Sequence, residues 1–311
     1  MLNVRQKFYL KMMNRRADAG LERSFPGGRQ KIDKPVYIIR RSGRSLGLFS
    51  YVETNLARIV YAIEHDMIPV IDMRHFDNRL KESESENPWD TYFEQPCGLS
   101  LEEAYKVKDI ILSDSGVPED RPGDSMDFLT GGTGTLEKWR TVAKQYIRFN
   151  QDTQRYVDSR YKTLIEGKGK VLGVLARGTD YANLKPSKHP IQPSGEEILL
   201  KTKEVLEERG YDRVFLATED SEILKLFREE LGEKLVAAED GCLEYKDGFL
   251  SEAQNTQNKT KKQINLDYLT NIFILSGCDA IVAGRTSGTV GAALLTEGWE
   301  YEYYFDLGVY E

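Results

Sequence analysis

The stretch Val171-Leu-Gly-Val-Leu-Ala-Arg-Gly-Thr-Asp180 is an apolar run that ends in an arginine, a glycine, a threonine and an aspartate. Its apolar part predicts a buried strand, because parallel strands are nearly continuous hydrophobic runs. Open α/β sheets bind their ligands in the crevice outside the carboxyl ends of such strands. There Arg177 would present a planar fork of hydrogen-bond donors, which suits a phosphate group. The segment therefore predicts an α/β fold with a phosphate site after this strand.

Strand and helix patterns alternate after this segment, as in a Rossmann-like domain. Ser194 and Glu197 predict a capping box at the start of one helix, and Gly232 and Gly277 predict the ends of two others. The predicted strands are Val171–Leu175, Arg213–Ala217, Leu235–Ala237 and Ala280–Ala283, and the predicted helices are Gly195–Arg209, Ser221–Leu231, Asn265–Ser276 and Gly288–Thr296. This alternation favours a parallel sheet with helices on its faces.

The first half of the chain holds a shorter β-α-β pattern. Val36–Arg40 and Ile68–Asp72 predict strands, and Tyr51–His65 predicts the helix between them because its apolar residues recur at helical spacing. Residues 166–170 read Glu-Gly-Lys-Gly-Lys, the most linker-like stretch of the chain. We therefore predict two Rossmann-like α/β domains, 1–166 and 167–311, that face each other across a cleft.

Composition limits the classes of partner. The 311 residues are 40% hydrophobic and 30% charged, with a formal net charge of -7. These values suit a globular protein and argue against nucleic acid, because binding its phosphate backbone requires a basic face. Cys97, Cys242 and Cys278 are too few and too far apart for a disulfide framework or a Cys-x-x-Cys metal site. We therefore predict a cytoplasmic protein that binds no nucleic acid.

The N-terminal stretch, residues 1–30, carries seven Lys or Arg residues against Asp18 and Glu22. The sequence shows neither an apolar run long enough for a membrane span nor the apolar core of a signal peptide. With Phe8, Tyr9 and Leu10 interleaved, this stretch could contact an acidic membrane surface peripherally. The alternative is a solvated leader or a first helix packed on the domain.

Polar residues follow three predicted strands of the second half, and these strand ends are expected to meet at one crevice. Arg177 can grip a diphosphate, and the helix that opens near Gly288 has free N–H groups that favour an anion. The expected nucleotide-binding residues are Arg177, Thr218, Glu219, Asp220, Thr286, Ser287 and Gly288. Taken singly, Arg177 could form an interdomain ion pair, and Asp220, Thr286 and Ser287 could be plain helix caps.

Four motifs of the second half, in this order, resemble the donor half of the fucosyltransferase superfamily, above all the α1,6-fucosyltransferases of N-glycan core and nodulation-factor synthesis. They are Arg177-Gly-Thr-Asp-Tyr181, His189-Pro-Ile191, Val214-Phe-Leu-Ala-Thr-Glu-Asp220, and Leu275-Ser-Gly-Cys-Asp-Ala-Ile-Val-Ala-Gly-Arg-Thr-Ser-Gly288. The resemblance implies the two-domain GT-B fold, in which the first domain faces the acceptor and the second holds the nucleotide sugar. It also implies GDP-fucose as donor, a carbohydrate acceptor, and no separate cofactor.

The resemblance further implies that Arg177 holds the β-phosphate, that Glu219 and Asp220 lie near the guanosine, and that residues 286–288 bind the diphosphate. Three positions depart from the family pattern. Leu175 replaces a histidine, Gly178 replaces a second arginine, and Lys185 replaces a glutamate that serves the acceptor. An enzyme that uses another nucleotide sugar, or a non-catalytic glycan- or nucleotide-binding module, therefore stays open as an alternative.

Transfer with inversion requires stabilisation of the leaving diphosphate and a base for the acceptor hydroxyl. No Asp-x-Asp occurs in the chain, so we expect a metal-independent reaction in which Arg177, the helix at Gly288 and either Arg285 or Lys185 supply positive charge. The candidate bases are Asp180, Glu94, Asp90, Asp72 and His189. Among these the carboxylates of the loop 83–95, led by Glu94, are favoured, and Asp180 could instead brace Arg177.

The Gly131-Gly-Thr-Gly-Thr135 run lacks the spacing of a dinucleotide-binding turn and predicts a flexible loop.

Overall fold

The computed structural model describes residues 2–15, 22–40, 47–76, 78–118, 120–122, 133–177, 184–238 and 259–311. The described residues form two compact units. Unit 1 draws on Met1–Ser125 and Glu137–Thr153, and unit 2 on Met126–Leu136 and Gln154–Glu311. No helix of the described ranges is long and apolar enough to cross a membrane.

Unit 2 contains a five-stranded, fully parallel sheet. Its strands are β5 (Val171–Ala176), β6 (Arg213–Thr218), β7 (Leu235–Ala237), β8 (Ala280–Ala283) and β9 (Tyr301–Tyr304). The helices around it are α6 (Gln151–Leu164), α7 (Gly195–Arg209), α8 (Ser221–Leu231), α9 (Lys261–Ser276) and α10 (Ser287–Leu295). In space the strands follow the order β7-β6-β5-β8-β9, which is the Rossmann order 3-2-1-4-5.

Local sequence explains the boundaries of these helices. Ser194 accepts a hydrogen bond from the Glu197 N–H and completes the predicted capping box of α7, and Gly210 ends that helix with a left-handed φ of 70°. The predictions of α7, α8, β7 and β8 agree with the structure residue for residue. By contrast α9 begins at Lys261, four residues before the predicted start at Asn265, because the Thr260 side chain caps it.

Unit 1 contains a four-stranded sheet of order β1-β4-β2-β3, in which β1 is antiparallel to β4 and the other pairs are parallel. Its strands are β1 (Arg23–Pro26), β2 (Val36–Ile39), β3 (Ile68–Ile71) and β4 (Asp109–Leu112). The remaining helices are α1 (Val4–Arg15), α2 (Leu48–Glu64), α3 (Pro88–Tyr92), α4 (Leu101–Ala104) and α5 (Thr133–Tyr146). The predicted β-α-β unit is therefore present as β2-α2-β3. The sequence patterns did not indicate β1, β4 or the short helices α3 and α4.

The N-terminal stretch contains the helix α1, which packs on unit 1. Leu10 is buried in the core beside Phe25, and the Gln6 amide donates to the carbonyls of Pro26 and Tyr105. Between a solvated leader and a packed first helix, the structure shows the packed helix, and peripheral membrane contact stays a prediction.

The two units divide the chain slightly differently from the predicted domains. Most of α6 belongs with the second sheet, because Tyr156 on α6 donates to Asp267 of α9 and Tyr161 donates to the carbonyl of Gly277. The division into domains 1–166 and 167–311 stays a prediction. So does the cleft between them.

Candidate active site

The strand order of unit 2 reverses between β5 and β8, the two strands on either side of its switch point. In open α/β sheets this is the place where ligands bind, outside the carboxyl ends of the strands. Arg177 follows β5 directly, and the segment Gly284–Thr286 follows β8. The structure therefore brings the predicted residues of these two segments to the edge of the sheet where a ligand is expected.

Arg177 forms an ion pair through Nη1 with Oε1 of Glu219, the residue that follows β6. Both side chains are mostly buried, with exposed fractions of 18% and 22%. Two residues predicted to bind the nucleotide thus contact each other within unit 2. Because a guanidinium has several donors in a fixed plane, Glu219 can orient Arg177 while other N–H groups face a phosphate.

Asp220 caps the helix α8. It is fully buried, and its Oδ1 accepts hydrogen bonds from the N–H groups of Glu222 and Ile223. Its own N–H donates to Oγ1 of Thr218 at 3.1 Å. The structure thus shows the helix-cap role that the sequence left open for Asp220, and contact between Asp220 or Thr218 and a nucleoside stays a prediction.

Thr286 is the N-cap of α10, since its Oγ1 accepts a hydrogen bond from the Thr289 N–H. Ser287 and Gly288 are the first residues of this helix, where backbone N–H groups lack acceptors within the helix. Gly288 also has a packing role, because a Cβ there would lie 2.6 Å from the hydroxyl oxygen of Tyr268. Together these residues begin a helix whose N-terminal N–H groups favour an anion. The helix follows β8, which is the sheet neighbour of β5, the strand that leads to Arg177.

Gln192 supports the turn after β8, and sequence analysis did not indicate it. Its side chain is 7% exposed, and Nε2 donates to the carbonyls of Pro190 and Arg285. A Cβ on Gly284 would lie 2.3 Å from Gln192 Oε1, so a larger residue there would displace this buried side chain. Arg285, one of the predicted sources of positive charge, instead pairs with Asp306 at 2.9 Å.

Some predicted residues lie outside the described part of the chain. They are Asp180 and the family departure Gly178. Thr133–Thr135 of the glycine-threonine run begin the helix α5, whereas residues 131 and 132 are not described. Lys185 and His189 are exposed, and Lys185 adopts a left-handed φ of 44°.

Asp72 is the centre of a polar cluster at the carboxyl end of β3 in unit 1. It is fully buried, and its Oδ1 accepts from the N–H groups of Arg74 and His75. Its Oδ2 contacts His75 Nδ1 at 2.8 Å and the Tyr105 hydroxyl at 2.5 Å. Burial and the Asp72 carboxylate raise the pKa of Tyr105 well above its usual value, which keeps the phenol protonated.

The predicted loop 83–95 is packed and contains a short helix. Trp89, Tyr92 and Phe93 are buried, and residues 88–92 form the helix α3. Glu94 forms an ion pair with Arg148 at 3.3 Å in which both side chains are about half exposed. The Asp90 carboxylate accepts from the side-chain amides of Asn87 and Gln95, at 2.9 and 2.6 Å. The Asn87-Pro88 pair is the sequence signal for this helix start.

Among the described residues no group of three or more His, Cys, Asp or Glu side chains is arranged to hold a metal ion. No family model matches the sequence, and no curated protein matches it.

Several solved structures are similar to this chain. The NodZ α-1,6-fucosyltransferase co-crystallized with GDP has a TM-score of 0.52 at 13% identity, over 85% of this chain and 93% of that chain. The same enzyme soaked with GDP-fucose gives 0.50 at 15% identity, over 85% and 93%. A mutant of Arabidopsis thaliana FUT1 in complex with GDP gives 0.51 at 11% identity, over 95% and 73%. The protein therefore has a fucosyltransferase-like fold, and its two parallel-rich sheets are those expected of a GT-B protein.

Proposed function

We propose that this protein is a glycosyltransferase that transfers fucose from GDP-fucose to a carbohydrate acceptor, with inversion and without a metal ion. The observation that carries the proposal is the position of Arg177 and the start of α10 at the switch point of the second sheet. Structurally similar proteins have been crystallised with GDP and with GDP-fucose. A nucleoside diphosphate is therefore the ligand class that fits both the fold and the local charge.

In the proposed donor site two groups bind the diphosphate. Arg177, oriented by Glu219, binds the β-phosphate, and the N–H groups that open α10 bind a second phosphate oxygen. When the bond between the anomeric carbon and the β-phosphate oxygen breaks, the leaving GDP gains negative charge, which these donors stabilise. Each well-placed donor of this kind contributes about 3 kcal/mol to lowering the barrier.

Metal independence is part of the proposal. Many transferases neutralise the leaving diphosphate with a divalent ion held by an Asp-x-Asp pair, and the chain has no such pair. The guanidinium and the helix start could replace that charge. Glu219 and Asp220 do not offer an alternative metal site in this arrangement, because one pairs with Arg177 and the other caps α8.

The first test is thermal unfolding in the presence of GDP, UDP, ADP or NAD, each with and without EDTA. A ligand that binds only the folded state raises the melting temperature by mass action. We expect GDP alone to raise it, and EDTA to leave the rise unchanged. Transfer is then tested by GDP release from GDP-fucose with a panel of oligosaccharide acceptors.

Each other outcome contradicts a defined part of the proposal. A rise with UDP or NAD instead of GDP would show that the donor is wrong, and a rise abolished by EDTA would show that a metal takes part. GDP binding without turnover of GDP-fucose on any acceptor would favour the non-catalytic binding module.

A further inference from the structure

The phenol hydroxyl of Tyr268 lies against the first turn of α10, inside unit 2. A Cβ added to Gly288 would lie 2.6 Å from Tyr268 Oη, so the hydroxyl occupies the space in which a side chain at position 288 would begin. The next two atoms near that point are apolar, Ile272 Cδ1 at 3.0 Å and Leu175 Cδ2 at 3.4 Å. Of these three neighbours, Tyr268 is the one that brings a polar group to the start of α10.

The hydroxyl lies on the side of α10 where an anion would bind. In a helix the Cα–Cβ bond tilts towards the N-terminus, and the first N–H groups point in the same direction. The Thr289 N–H already donates to Thr286 Oγ1 at 3.1 Å, whereas the N–H groups of Ser287 and Gly288 have no acceptor within the helix. An anion bound by these two N–H groups would therefore lie beside the Tyr268 hydroxyl.

Tyr268 is carried by a helix that is fixed next to it by a polar network. The preceding residue, Asp267, accepts hydrogen bonds from the Tyr156 hydroxyl of α6 at 2.8 Å and from Gln263 Nε2 at 2.9 Å. Its other carboxylate oxygen accepts from Lys259 Nζ at 2.7 Å. Support of this kind holds a hydrogen-bonding group in place without a ligand, so less side-chain entropy is lost when one binds.

We propose that Tyr268 is a donor-binding residue, whose hydroxyl donates a hydrogen bond to the nucleotide diphosphate at the start of α10; this inference rests on the proposed function. The oxygens of an ionised phosphate accept hydrogen bonds, and a phenol hydroxyl can donate one. A hydrogen bond to a charged acceptor is about twice as strong as one between neutral groups. The hydroxyl keeps its proton, and it takes part in no covalent step.

The test compares Tyr268→Phe with the matched variant Tyr161→Phe. Tyr161 lies against Gly277 at the other end of α9, where a Cβ would be 2.8 Å from its ring Cε2, and its hydroxyl donates to the Gly277 carbonyl at 3.3 Å. Each substitution removes one hydroxyl and keeps the ring. GDP binding is measured by calorimetry, guanosine binding by displacement of GDP, and stability by the melting temperature without ligand.

We expect Tyr268→Phe to weaken GDP binding about tenfold or more, the loss typical of one hydrogen bond to a charged group. Guanosine carries no phosphate, so it should bind this variant and the wild type equally. Tyr161→Phe should bind both ligands as the wild type does.

The outcomes separate this inference from the proposed function. A wild type and a Tyr268→Phe variant with equal GDP affinity would overturn the role of Tyr268 and leave the proposed function standing. Equal losses for GDP and guanosine would contradict a phosphate contact, and a wild type that binds no GDP overturns both proposals. If Tyr268→Phe fails to fold, Gly288→Ala decides, because its methyl group displaces the hydroxyl. Weaker GDP binding with unchanged guanosine binding then supports the contact, whereas unchanged GDP affinity contradicts it.

Discussion

Arg177 and Glu219 lie at the ends of neighbouring strands and partly neutralise each other. An unpaired guanidinium at that depth would be costly, because burying a charge without a partner removes its hydration. Glu219 therefore holds Arg177 in place without a ligand, as the proposed phosphate site requires. A site organised in this way gains affinity from preorganisation, since less side-chain entropy is lost on binding.

Arg177→Lys tests whether the planar fork matters rather than the charge alone. Lysine keeps the charge but cannot bind a carboxylate and a phosphate in the same fixed plane. We expect turnover of GDP-fucose to fall about 100-fold and GDP binding to weaken measurably by calorimetry. Arg213→Lys, at the opposite end of β6, is the control and should behave as wild type. Equal turnover in the two variants would remove Arg177 from the donor site.

Gly284→Ala tests the close packing behind the helix start. The new methyl group would lie 2.3 Å from Gln192 Oε1, so this buried amide must move and lose its bonds to Pro190 and Arg285. We expect a loss of about 1–3 kcal/mol of unfolding free energy in denaturant titrations.

Two further variants control this measurement. Gly47→Ala adds the same methyl where no atom of the described residues lies within 4 Å, and should cost less. The Gly284→Ala change should also cost less when Gln192 is already alanine. Equal losses in both backgrounds would show that Gln192 is not the obstacle.

At the scale of elements, the sequence predicted most accurately the helices whose ends are marked by capping residues. The helix α7 is bounded by Ser194 and Gly210, whose capping contacts depend on nearby residues only. The strand β9 was missed because Tyr301–Tyr304 is short and partly exposed, and its existence depends on pairing with β8. The Arg177–Glu219 pair was missed for the same reason, since it depends on the register of β5 against β6.

The helix α1 presents an outward face on which apolar and cationic side chains alternate. Val4, Lys7, Phe8 and Lys11 follow helical spacing, and Val4 and Phe8 are 85% and 69% exposed. The opposite face is packed through Gln6 and Leu10. We predict that this face binds anionic membranes peripherally, through the two cations and the Phe8 ring.

Vesicle co-sedimentation tests this prediction. Each lysine near an anionic surface contributes about 1 kcal/mol, so Lys7→Gln with Lys11→Gln should weaken binding to phosphatidylglycerol vesicles by roughly tenfold or more. The control pair Lys225→Gln and Lys234→Gln removes the same charge elsewhere and should have little effect. Equal binding to neutral phosphatidylcholine vesicles would contradict an electrostatic contact.

At the scale of the whole molecule, charge and fold point to different kinds of partner. A net charge of -7 repels polyanions in general, yet the proposed donor is itself an anion. Binding it requires a local group of hydrogen-bond donors, and we propose that Arg177 and the start of α10 form that group. Composition alone predicts that nucleic acid is not a partner, whereas the proposed position of the anion site depends on the strand order of unit 2.

The side chain of Gln95 covers part of the exposed edge of β3, which affects how readily the protein aggregates at high concentration. The strand β3 lies at the border of its sheet, where backbone groups without partners invite pairing with a strand from another chain. The Gln95 amide occupies the N–H and the carbonyl of Ile71 much as a neighbouring strand would. The side chain that hydrogen-bonds Asp90 thus also covers two backbone groups of an edge strand, so we expect a variant that loses Gln95 to aggregate more readily.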